Sequence, residues 1–298
     1  MLATGIYRTR DNNRFYHIHG RWIFIFYSFF FFIFSDSLAG SFNPTPTLNA
    51  LGLPPDGQID DTFEDVIERI QNKTSQFNAG ALNQLMNERF RQSGTTVLSS
   101  SEYFASDHGH QSSKAGLYEI FRDLNSTQPP SWWPDHGSFP SSPRCPLMGL
   151  KVVDLTRVIA GPTNTRALAE MGASVMRVTS PHVPGFTRAY HDLSWGKWNA
   201  FLHLKDDVDK ENHRMLILEA DVVVDGYHPG IMDRLGFGRD AIFELVKGRD
   251  RGIIHLRENC YGWHGPWCHW SGWQGISNAV GDFHKVAAPL WTNKYIYF

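Results

Sequence analysis

Four short apolar runs, alternating with helix-patterned segments between Lys151 and Leu256, constrain this chain more than any other feature. Lys151–Thr156 (KVVDLT), Val175–Thr179, Asp221–Asp225 (DVVVD) and Gly252–Leu256 (GIIHL) read as strands. Gly161-Pro162 marks the start of a helix, because proline's missing amide is harmless in the first turn. Ala167, Leu168 and Met171 give that helix a buried face, and Gly172 ends it. Asp206 and Asp207 cap a second helix carrying Met215, Leu216 and Leu218. Ile242, Phe243, Leu245 and Val246 face one side of a third, closed by Gly248. Strands alternating with helices imply parallel βαβ units, an α/β class, and a ligand crevice at the strand C-termini.

The 298 residues, 42% of them apolar, suffice for one large domain or two ordinary ones. Residues 1–58 read as a leader, disordered or signal-like, and 59–142 as a helical region followed by a proline-rich linker. The α/β segment then occupies 143–280, and 281–298 is a divergent tail. Within the leader, Trp22–Phe34 (WIFIFYSFFFFIF) follows Arg8, Arg10, Arg14 and Arg21 and precedes Ser37-Leu38-Ala39, the outline of a secretory signal. Its phenylalanine bias also fits translated non-coding sequence, and it is too short to span a membrane. On the leader reading a chain begun at Ser41 folds as well as the full one. The expected location is then cytoplasmic or an organellar lumen, with secretion by way of Met1–Ala39 as the alternative. Asn72 and Asn125 head glycosylation tripeptides that matter only in a secreted chain. Phe63, Val66, Ile67 and Ile70 predict an amphipathic helix, and Leu82, Leu85 and Met86, then Leu117, Ile120 and Phe121, two more. Ser126–Pro143 is the connector, with Trp132 and Trp133 packing onto a neighbouring surface, and a boundary falls near Ser142.

The 28 basic side chains against 30 acidic ones exclude a globally basic surface, so no nucleic-acid partner is expected. Three scattered cysteines, Cys145, Cys260 and Cys268, are too few for a disulfide scaffold. Cys260, His264, Cys268 and His269 superficially suit zinc. Trp263, Trp267, Trp270 and Trp273 around them read instead as a packed aromatic loop, and no metal is expected. A nicotinamide oxidoreductase fails on detail. The first strand–helix turn, TRVIAGPTNTRA, has a single glycine, and the second strand ends in RVTSP with no acid for a ribose hydroxyl.

Pro146–Pro162, Ala167–Val178, Leu202–Lys205, Ala220–Gly238 (ADVVVDGYHPGIMDRLGFG) and Tyr261–Pro266 (YGWHGP) resemble, in order and spacing, a class III coenzyme A transferase. That family, also called CaiB/BaiF, includes the α-methylacyl-CoA racemases. Ser131-Trp-Trp-Pro and the helices before it resemble the leading region of longer fungal members. The resemblance implies a Rossmann-like core in an interlocked homodimer, with coenzyme A or acyl-CoA as substrate and a carboxylic acid as its partner. It implies either transfer through a covalent aspartyl intermediate or exchange of the proton beside the thioester carbonyl.

Carried over residue by residue, Val158 and Ala160 match the loop that approaches the pantetheine, and Leu202 and Lys205 a contact near the nucleotide. Gly226 and Tyr227 match the loop before the Pro-Gly pair, and Arg234 a phosphate-binding arginine. Lys205 also reads as a solvated charge beside Asp206 and Asp207, and Arg234 as a partner of Asp233 or Asp240. Three departures imply weakened coenzyme affinity: Ser194-Trp-Gly-Lys-Trp198 where basic residues usually flank Gly-Lys, His228 for a common arginine, and His203 for a common aspartate. Gly272-Trp-Gln274 matches the position that precedes the catalytic aspartate, which on this alignment falls beyond Phe298. Asp282, the only acid after Gln274, lies too early to replace it. The expectation is thus a C-terminally truncated member without its catalytic residue and with a dimer unable to close. A non-catalytic binding or interaction protein is the alternative.

Overall fold

The structure, a computed structural model, describes residues 4–19, 44–54, 61–124, 126–129, 133, 140–180, 182 and 187–281. In chain order its elements are β1 (Gly5–Arg8), β2 (Phe15–Ile18), α1 (Thr45–Ala50), α2 (Phe63–Thr74), α3 (Ala79–Asn83), β3 (Gly94–Thr96), α4 (Ser100–Ala105) and α5 (Asp107–Ser112). There follow β4 (Lys151–Leu155), α6 (Ala160–Glu170), β5 (Ser174–Thr179), α7 (Thr187–Leu193), β6 (Lys197–Phe201), α8 (Asp207–Glu219) and β7 (Val222–Asp225). The last are α9 (Ile231–Leu235), α10 (Arg239–Val246), β8 (Ile254–Arg257) and α11 (Gln274–Val280). A π-helical turn, Gln84–Arg89, continues α3. Among the described residues no helix is long and apolar enough to cross a membrane. The chain divides into two compact units, the first Met1–Glu119 with Asn259–Phe298, the second Ile120–Glu258.

In the first unit β1, β2 and β3 form an antiparallel sheet in that order. Its core joins Tyr7, Tyr16 and Ile18 to Leu48 of α1, Ile67 and Ile70 of α2, Leu82 of α3 and Met86. Helix α2 forms where Phe63, Val66, Ile67 and Ile70 predict it, and it opens with Thr62 and Asp65 in a reciprocal capping box. Where the sequence reads as a leader over 1–58, the structure has β1, β2 and α1. Tyr7, Tyr16 and Ile18 are wholly buried, so a chain begun at Ser41 would lose two of three strands and part of the core. Strands of four residues, GIYR and FYHI, are too short to declare an alternation, and their register depends on β3 far along the chain. The phenylalanine-rich run lies outside the described residues. No helix forms at Leu117, Ile120 and Phe121, whose side chains are exposed. Without a surface to bury, their helical spacing has nothing to drive it.

The second unit carries the α/β elements that the sequence predicts, over Ile120–Glu258 where the sequence reads 143–280, the stretch from Asn259 falling in the first unit. Its sheet is parallel throughout, in the order β6-β5-β4-β7-β8. Side chains alternate across it. Val153, Leu155, Val178 and Val223 pack on one face with Ile217 of α8 and Ile242 and Val246 of α10. Val152, Val175, Val222 and Val224 fill the other with Leu150 and Leu168. Each such side chain, fully buried, contributes about 1.5–3 kcal/mol. Gly172, at φ +100°, ends α6 in the left-handed conformation that glycine takes without strain, as its sequence predicts. Asp206 caps α8, its side chain accepting from the amides of Val208 and Asp209. Four strands are legible in the sequence of this half and the structure has five. The missed one, β6, is an edge strand whose sequence KWNAF lacks the aliphatic run that marks the other edge strand, β8, and its Trp198 and Phe201 are largely exposed. From β4 the chain runs outward through β5 to β6, then crosses to β7 and β8 on the other side. The strand order therefore reverses between β4 and β7, and a sheet of this kind opens a crevice beyond that reversal.

Candidate functional site

Beyond the end of β4 the backbone turns sharply. Val158 takes φ +72°, the left-handed region that a β-branched residue rarely adopts, and α6 begins two residues later. A buried ion pair beneath the turn holds it. The Asp154 carboxylate accepts from the Thr156 amide (2.9 Å) and hydroxyl (2.5 Å) on one oxygen. On the other it accepts from the Thr165 hydroxyl (2.7 Å) and Lys197 Nζ (2.9 Å). Lys197 also donates to the Pro162 carbonyl (2.9 Å) and to Thr165 Oγ1 (2.7 Å), which uses all three ammonium protons. Both charged side chains are fully buried. Burial lowers the lysine's pKa, against the pull of Asp154. Such a pair holds because every polar atom in it is satisfied.

Two more acids lie at this end of the sheet. Asp225, the last residue of β7, accepts from the Tyr227 amide (2.9 Å), and burial pushes its carboxyl up to about 6. Glu258, just past β8, accepts from the Gly161 amide in the first turn of α6. Burial raises its pKa, and the neighbouring Asp154 and Asp225 add to the effect. A Cβ on Gly161 would stand 2.8 Å from the Glu258 Oε1, and one on Gly226 only 2.6 Å from it. Both glycines thus border the carboxylate, and at Gly161 a side chain would also meet the Thr156 Cβ at 2.5 Å. Two arginines meet at Tyr190. Arg157 lies beside Tyr227 and Tyr190, and burial lowers its pKa. Arg177 stacks on Tyr190 at 4.1 Å and donates to Ser194 Oγ (3.2 Å) and Asn199 Oδ1 (3.4 Å).

All seven residues marked by the sequence follow the C-terminal ends of β4, β6 and β7. Val158 and Ala160 form the turn into α6, and Gly226 and Tyr227 the turn after β7, with Glu258 between the two turns. Leu202 is buried in the core, its side chain withdrawn from solvent and its amide donating to the Thr179 carbonyl (2.8 Å). Lys205 and Arg234 are exposed. Arg234 folds back over Gly230, and no ion pair with Asp233 or Asp240 forms, Asp240 pairing with Arg239 instead. Asp154, Thr165, Asp225 and Glu258 escape the sequence reading as site residues, and Lys197 enters it only as the lysine of Ser194-Trp-Gly-Lys-Trp198, with no role assigned. The signal for the first of them was an acid at an inner position of an apolar strand.

The aromatic loop lies in the first unit. Cys260 Sγ is 3.2 Å from Ser277 Oγ, His264 meets Glu119 (2.8 Å), and His269 meets Glu88 (3.1 Å). Trp267 stacks on Trp270 at 5.2 Å, and Trp270 Nε1 donates to Glu88 (2.7 Å). His108, wholly buried, accepts from the Trp267 amide at Nδ1 (3.2 Å) and so donates from Nε2 to the Tyr261 carbonyl (3.0 Å). Asp282 lies outside the described residues.

Comparison with known proteins agrees with this body. Residues 147–291 match the profile of CoA-transferase family III. Acetyl-coenzyme A transferase nodX of Hypoxylon pulicicidum is 56% identical over 93% of this chain and 43% of its own length. An acyl-CoA transferase of Gibberella moniliformis is 32% identical over 95% of this chain and 46% of its own length. A CAIB/BAIF family protein from Brucella suis, solved by crystallography, covers 47% of this chain and 40% of its own at 26% identity and TM-score 0.41. The chain thus spans less than half the length of the two curated relatives. Through residues 147–291, it belongs to CoA-transferase family III.

Proposed function

We propose that the second unit binds coenzyme A or an acyl-CoA thioester in the crevice beyond β4 and β7, as the coenzyme-holding part of a family III transferase. The observation that carries this reading is the convergence of Val158, Ala160, Gly226 and Tyr227 at the reversal of strand order, inside the matched segment. The two turns receive the pantetheine and thioester. The exposed cations Lys205 and Arg234 follow the ends of β6 and β7, where they meet the phosphates with guanidinium and ammonium donors. Buried Leu202 contributes backbone only. The reaction assigned to the whole protein is movement of coenzyme A between carboxylic acids, a homodimer being the form that the resemblance implies. The aspartate that would carry the acyl group is none of these seven residues, so their role is to hold and orient the coenzyme.

Titration calorimetry with coenzyme A tests the reading. Arg234→Ala is expected to weaken binding by roughly 1.5–3 kcal/mol and to flatten its salt dependence. Equal affinity and equal salt slope in wild type and variant would remove Arg234 from the site. Absence of coenzyme binding by the wild type would remove the reading.

A further inference from the structure

The Glu258 carboxylate occupies a place where this fold ordinarily offers a free anion site. The first amides of a helix attract anions, through their unpaired N–H groups and the helix dipole. In α6 one of those amides, Gly161, already donates to Glu258. The carboxylate lies close against backbone on two sides, its Oε1 2.8 Å and 2.6 Å from where a Cβ on Gly161 and on Gly226 would stand. Asp154 and Asp225 lie near enough to disfavour further negative charge beside it. The nearest buried ammonium, Lys197, has all its protons committed to Asp154, Thr165 and the Pro162 carbonyl. A phosphate brought to this amide would therefore face carboxylates and displace a bonded one. An N–H donor would find an acceptor in place.

From this we infer that Glu258 is a specificity-determining residue of the crevice: it rejects anions at the start of α6 and accepts an uncharged hydrogen-bond donor there. The inference rests on the coenzyme-binding reading for its ligand, since the amides of the pantetheine arm are such donors and the phosphates are the groups turned away. It is independent of that reading for its electrostatics.

The test uses the full chain and Glu258→Gln, which keeps the side chain's length and an oxygen for the Gly161 amide but removes the charge. Pyrophosphate, pantetheine and coenzyme A are titrated separately, with thermal unfolding as a check on folding. Glu258→Gln is expected to bind pyrophosphate at least about tenfold more tightly than wild type, and pantetheine several-fold more weakly. A merely structural role would weaken both. If Glu258→Gln is poorly folded, Glu258→Ala, which frees the Gly161 amide, must show the same gain for pyrophosphate. Failure to gain pyrophosphate affinity in either variant overturns the assignment. Should coenzyme A bind neither protein while the pyrophosphate gain appears, the coenzyme reading falls and the exclusion by Glu258 stands. Should coenzyme A bind both with no pyrophosphate gain, the exclusion alone falls.

Discussion

His213 of α8 is wholly buried with its ring 4.5 Å from that of Phe237, and neither nitrogen has a hydrogen-bond partner. Burial lowers its pKa to about 4. An unfolded histidine titrates near 6.5, so the unfolded chain binds the extra proton first and His213 costs stability as pH falls from about 6.5 toward 4. His213→Leu is expected to raise stability by about 1–3 kcal/mol, more at pH 5 than at pH 7.5, in urea unfolding at the two pH values. An equal gain at both would mean that the ring is solvated. Asp225 acts in the opposite sense. Its carboxyl is raised to about 6 against 3.8 in the unfolded chain, so the folded form takes up the proton first. Its contribution is fully present below about 3.8 and is lost as pH rises through about 6. Asp225→Asn is expected to exceed wild type by on the order of 2–3 kcal/mol at pH 7.5 and to match it near pH 4. The Tyr227 amide keeps its acceptor in that variant. A difference independent of pH would refute the buried-carboxyl assignment.

Among the elements, β4, α6 and β6 are joined by one ion pair. Lys197→Met strands a buried carboxylate and is expected to cost about 3–5 kcal/mol. Adding Asp154→Leu is expected to recover part of that loss, because it removes the stranded charge but leaves the buried Thr156 amide and hydroxyl without their acceptor. A double variant no better than the single would show that the ammonium's bond to the Pro162 carbonyl, rather than its charge, matters most. The sequence announces β4, β5 and β7 because inner strands buried on both faces must be largely apolar, and β8, an edge strand exposed at Ile254 and Leu256, by its aliphatic run GIIHL alone. It is silent on β6, whose exposed Trp198 and Phe201 break that pattern. The same limit hides the site's inner acids. A family motif marks the loops that touch a ligand, as at Val158 and Gly226, but not the side chains that hold those loops still. Glu258 became visible only once β8 was seen to bring it against Gly161, ninety-odd positions earlier in the chain. Arg234 and Lys205 carried two readings in the sequence, and their exposure in the structure leaves them available to an anion.

For the molecule as a whole, β1 and β2 belong to the first unit's core. A chain begun at Ser41 is expected to lose protection from hydrogen exchange throughout β3, α2 and α3, while the second unit's sheet keeps its protection. Unchanged exchange in α2 would show that the first unit does not need its opening hairpin. That first unit is also discontinuous. It leaves off at Glu119, resumes at Asn259, and is sealed by contacts such as His108 with Tyr261, Glu88 with Trp270, and the Leu98 amide with the Ala279 carbonyl. The second unit is one uninterrupted stretch. On a ribosome the segment from Asn259 therefore reaches the first unit only after the whole α/β body has been made, a delay on the order of ten seconds at ordinary elongation rates. Through that interval Tyr7, Tyr16 and Ile18 are without the closing segment. The first unit is thus completed only after the second, although most of its core is made first. Pulse-labelled nascent chains are expected to protect the β1–β3 amides fully only after those of β4–β8.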